Sequence, residues 1–76
     1  MKNPRMITRF VVLLRDTPDR QIWLAYNDGG RIGNATFAMA FRFISRHQAN
    51  MALRNLPHKW PEAKIISTLV EEDSNQ

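Results

Sequence analysis

The chain has 76 residues, with eleven Lys and Arg against seven Asp and Glu, a formal net charge of +4, and no cysteine. A chain of this length forms one domain and buries only about 60% of the surface its unfolded form exposes, so its core is small. The absence of cysteine excludes disulfides, thiolate metal sites and cysteine nucleophiles, and is in keeping with a cytoplasmic setting. Apolar runs such as residues 10–14 fall far short of the roughly 18 residues that span a bilayer, so no membrane partner is expected. The opening "MKNPRMITRFVVLL" is broken by Arg9 and closed by Arg15 and Asp16, and reads as no signal peptide.

Residues 7–14, "ITRFVVLL", are β-branched and apolar on both sides, as in a central strand: Val11 and Leu13 point one way, Phe10, Val12 and Leu14 the other. "DTPD" at residues 16–19 is turn chemistry, and residues 21–27, "QIWLAYN", form a second strand. Then comes "NDGGRIGN", residues 27–34. A phosphate-cradling glycine loop needs a helix directly after it and, in the P-loop form, a lysine. This one has neither, and Asn-Asp-Gly-Gly favours positive φ, so it reads as a turn. Residues 35–43, "ATFAMAFRF", fit a strand with Phe37, Met39, Phe41 and Phe43 on one face, or a helix with Phe37, Phe41 and Ile44 in a stripe; the strand is favoured and the alternative stays open.

The sharpest local signal is Ser45 with Gln48, the S-x-x-Q capping box that opens a helix. The helix is expected from Arg46 to about Leu56, burying Ala49, Ala52, Leu53 and Leu56, and Pro57 ends it. Trp60, between two prolines, is expected to fold back onto helix and sheet. Residues 64–70, "KIISTLV", form the last strand. The expected architecture is α+β, a small single-layer antiparallel sheet of three or four strands with one helix on one face, in the order β-β-(β)-α-β. The domain covers residues 1–70, and residues 71–76 form an acidic disordered tail. One helix hides one face, so a homodimer is expected to cover the other, with Val11, Leu13 and Trp23 as candidate interface residues.

Catalytic chemistry is sparse, and no enzyme, cofactor or metal is expected. His47 and His58 are eleven residues apart without further ligands, Ser45 is a cap without a base beside it, and Asp16, Asp19 and Asp28 fall in turns. The charge is more informative. Glu71, Glu72 and Asp73 all lie in the tail, so residues 1–70 hold eleven bases against four acids. Arginine outnumbers lysine and suits bidentate contact with phosphate. Arg31, Arg42, Arg46, Arg54 and Lys59 are the candidate nucleic-acid contacts, with Trp23 or Tyr26 as aromatic company.

The run "AFRFISRHQANMAL", residues 40–53, resembles the A-x-x-F-x-S/T-x-x-x-A-x-x-A-L pattern of many small uncharacterised phage and prophage proteins. Together with "IWLAYND" it is also more distantly similar to the arm-type DNA-binding domains of phage integrases. The first resemblance implies a strand leading into a capped helix with a final strand after it; the second implies a sheet laid in the major groove. Two functions are therefore expected: a homodimeric, non-catalytic protein-interaction module of phage or mobile-element type, or a basic nucleic-acid-binding protein.

Overall fold

The computed structural model describes residues 5–27, 30–34 and 36–71. The strands and the helix run in the order β1 (Met6–Thr17), β2 (Arg20–Asn27), β3 (Gly30–Asn34), α1 (Arg46–Arg54) and β4 (Lys64–Glu71), with a 3-10 turn at Phe37–Met39. The four strands form one sheet in the order β3-β2-β1-β4, and every neighbouring pair is antiparallel. This is the α+β architecture expected, but its third strand lies elsewhere. Residues 30–34, read as part of a turn, pair with β2 from Trp23–Asn34 to Asn27–Gly30. Of the stretch read as residues 35–43, the described residues 36–43 hold a 3-10 turn at Phe37–Met39 and an isolated bridge at Phe43 rather than a strand. Gly-Arg-Ile-Gly-Asn has little strand propensity of its own, and the hairpin ladder with β2 makes it a strand.

Turn chemistry explains the hairpins. Pro18 and Asp19 form the corner between β1 and β2, and the Thr17 hydroxyl braces it, accepting from the Arg20 N–H (3.1 Å) and donating to the Arg20 carbonyl (2.9 Å). Asp16 lies within β1 rather than in the turn, and its carboxylate accepts from the Gln21 amide at 3.2 Å. In β3, Gly30 has φ +110°, a conformation that L side chains rarely adopt. The intervening Asp28 and Gly29, and the tail after Glu71, lie outside the described residues.

The sheet is forked. β1 and β2 pair only between Leu13 and Thr17, with Leu14 as the extra residue of a β-bulge. Beyond Leu13 the strands part, and residues 41–43 enter the gap. Phe43 exchanges two backbone hydrogen bonds with Phe10 (2.9 and 2.7 Å), and the Phe41 N–H donates to the Leu24 carbonyl at 3.0 Å. Strand groups in the fork that would otherwise lack partners are thereby satisfied.

Each face of the sheet carries its own core. On one, Val12, Leu14, Leu24 and Phe43 meet Ala49 and Ala52 of α1, and Trp60 folds back against them. On the other, Val11, Leu13 and Trp23 pack with Ala40, and the Phe37 ring stands edge-on to Trp23 at 4.9 Å. The residues expected to need a partner subunit are thus closed off within one chain. Val11, Leu13 and Trp23 are 0%, 3% and 6% exposed. They are core residues, and any dimer interface must use other side chains.

The helix begins where its cap was read. The Ser45 hydroxyl accepts from the Gln48 N–H at 3.1 Å, while the returning Gln48 side chain accepts from the N–H of Ile44 rather than of Ser45. It ends at Arg54 with Asn55 as the C-cap, earlier than the apolar spacing suggested, because Leu56 packs from the connection beyond it. Ser45→Ala should cost about 1 kcal/mol in urea unfolding. Gly33 needs its size rather than positive φ: an added Cβ would sit 2.8 Å from Cγ2 of Ile22. Gly33→Ala should therefore lower stability by about 1–3 kcal/mol, read as an earlier denaturant midpoint.

Candidate nucleic-acid interface

Of the expected basic residues, Arg46 and Arg54 stand at opposite ends of α1. Arg42, between Phe41 and Phe43 whose rings meet at 4.8 Å, is exposed. Arg46, in the first turn of α1, is engaged locally: its guanidinium lies 5.2 Å from the Phe10 ring centre and donates to the Ile65 carbonyl at 3.5 Å. Arg54 is in the last turn, about 12 Å further along the axis by the helical rise. That separation exceeds a Debye length of about 8 Å at physiological salt, so the two ends of α1 are electrically distinct. Arg31 is in β3, and its side chain lies outside what is described.

A basic cluster does form at the C-terminal end of α1, around Trp60. One concavity is lined by Leu53, Arg54, Leu56, His58, Lys59 and Trp60. An adjoining cleft against Leu14, Leu24 and Gly33 shares Leu56, His58 and Trp60. From β1, the Arg15 guanidinium stands 5.6 Å from the Trp60 ring centre, a cation–π contact worth about 0.5–1 kcal/mol at an exposed site. Three parts of the chain meet here: the end of β1, the last turn of α1 and the Pro57–Pro61 connection.

The bulge is what sends Arg15 there. Leu14 is in the helix-side core, so regular alternation would turn Arg15 to the opposite face. With Leu14 as the extra residue, Arg15 instead lies opposite Ile22, another helix-side residue, and reaches Trp60. Among the described residues, Arg15, Arg54 and Lys59 form no ion pair.

The expected aromatic company is different. Trp23 is 6% exposed and cannot stack on a base, and Tyr26, though 41% exposed, is packed against Phe41 at 4.6 Å. Trp60 is the aromatic residue beside the cations. Sequence reasoning placed Trp60 against the core, where it packs, but did not set it beside Arg15 and Arg54; His58 and Lys59 directly before it were the one local signal of a basic setting. The sheet face opposite α1 is filled by Val11, Leu13 and Trp23 under Ala40 and Phe37.

The cleft beside Leu14 has a volume of about 110 Å³ and the concavity beside Arg54 and Lys59 about 350 Å³, against roughly 300–1,000 Å³ for small-molecule sites. Among the described residues no three His, Asp or Glu side chains converge on a common point, and no helix is long and apolar enough to cross a membrane. Comparison with protein-family models, curated proteins and solved structures finds no match to this chain.

The cluster has a measurable electrostatic signature. In Trp23→Phe, leaving Trp60 as the sole tryptophan, iodide should quench the remaining emission more efficiently than caesium does. Arg54→Ala with Lys59→Ala should bring the two quenchers closer together.

Proposed function

We propose that this chain is a small non-catalytic protein that binds nucleic acid through its phosphates. The reading rests on one observation: Arg15, Arg54 and Lys59 converge on half-buried Trp60 from separate parts of the chain and have no ion-pair partners among the described residues. Phosphate contacts require cations that are positioned and unpaired, and they supply most of the affinity in sequence-independent binding. Arg15 approaches the ring of Trp60, and the exposed part of that ring lies beside the path of a bound backbone. A place among phage or mobile-element proteins is proposed on the pattern read in residues 40–53 alone.

A homodimeric protein-interaction module is the second reading, supported by the open edge of β4 in the sheet order. Val11, Leu13 and Trp23 take no part in it.

Fluorescence-anisotropy titrations with generic single-stranded and duplex oligonucleotides, over a range of salt, test the first reading. Binding should weaken with salt, and each cation removed by Arg54→Ala or Lys59→Ala should reduce the log–log slope by about 0.7 for single strands or 0.9 for duplex. Arg46→Ala, at the other end of the helix, should change the slope far less. A folded protein that binds neither form at low salt would remove the nucleic-acid reading.

A further inference from the structure

We infer that β4 is a self-pairing edge, through which two copies of this chain join their sheets into one. The direction of its backbone groups carries the argument. β4 pairs with β1 over eight consecutive positions, from Met6–Glu71 to Leu13–Lys64, without a bulge. Phe10 spends both its N–H and its C=O on Phe43, on the side of β1 away from β4. The Phe10–Ser67 pair is therefore a non-hydrogen-bonded pair of the ladder. By the alternation of antiparallel strands, Ile66 and Thr68 bond to β1, while Ile65, Ser67 and Leu69 aim their N–H and C=O groups out of the sheet.

This edge has little to blunt it. It contains no proline or bulge, its charged residues stand at its two ends, and Leu69 is 63% exposed. Among the described residues the one guard is Arg46, which reaches the Ile65 carbonyl at 3.5 Å, the limit of a hydrogen bond. The other edge, β3, is five residues long and contains two glycines, a poorer template.

The occupant that fits is a second copy. A two-fold axis through Ser67, normal to the sheet, sets Ser67 opposite Ser67, and Ile65 opposite Leu69 of the second copy on the helix-bearing face. On the other face Ile66 meets Thr68, and Lys64 meets Val70, so no like charges oppose each other. All three outward residues of each copy then bond in mutual pairs, about six hydrogen bonds in all. The exposed Leu69 is covered by an apolar neighbour, and both α1 helices lie on the same side of the joined sheet. The contact is isologous and closes at two subunits.

Amide hydrogen exchange combined with sedimentation tests this. Between low and high micromolar protein, the mass should double and exchange at Ser67 and Leu69 should slow. The amides of Ile66 and Thr68 should be protected at both concentrations. Ser67→Pro removes an N–H that points away from β1, so it should yield a folded monomer; Thr68→Pro removes one bonded to β1 and should destabilise the fold. A monomer at high concentration, a dimer with Ser67 and Leu69 amides still exchanging freely, or a dimer unaffected by a folded Ser67→Pro would each overturn the inference. If Ser67→Pro fails to fold, exchange in the unaltered protein decides the matter alone.

Discussion

The fold depends on the pair of backbone hydrogen bonds between Phe10 and Phe43. A central strand that is apolar on both sides needs cover on both, and a 76-residue chain with one helix can supply only one layer from regular structure. The insertion of residues 41–43 between β1 and β2 solves this. It carries the chain from one face of the sheet to the other. Phe37 and Ala40 remain over Trp23 on one side, while Phe41 and Phe43 join Tyr26 on the side of α1. The same insertion holds the strands apart beyond Leu13, next to the bulge at Leu14.

The local irregularities at the fork and the bulge shape the surface as well as the core. With Val11, Leu13 and Trp23 buried within one protomer, the two features on which the proposals rest lie at the margins of the sheet: the basic cluster around Trp60 and the edge of β4. They use different chemistry. In the proposed reading the Trp60 cluster acts through long-range, salt-sensitive attraction to polyanions. The β4 edge is short-range and geometric, set by which backbone groups point outward. Arg46 touches the second and stands away from the first, so substituting it separates the two experimentally.

Much of this was legible in the chain itself. Residue types that act within three or four positions made the Ser45 cap, a turn at residues 16–19 and the amphipathic helix readable, because their partners are sequence neighbours; the structure sets that turn at Pro18 and Asp19, braced by Thr17 on Arg20. The apolar character of β1 on both sides correctly announced a strand needing two covers. The alternation of Phe37, Met39, Phe41 and Phe43 misled, since period-two spacing shows that side chains can take opposite sides but not that a ladder partner is present.

The sequence by itself determined the α+β class, one capped helix, a doubly apolar central strand, a basic body and a lack of cysteine chemistry, because composition and short-range hydrogen bonding suffice for each. Tertiary structure alone decided that Gly30–Asn34 is the third strand, that residues 37–40 rather than a second subunit cover Val11, Leu13 and Trp23, and that a bulge turns Arg15 toward Trp60. These choices rest on backbone groups and side chains more than ten residues apart satisfying one another, and no local pattern encodes which distant partner will be found.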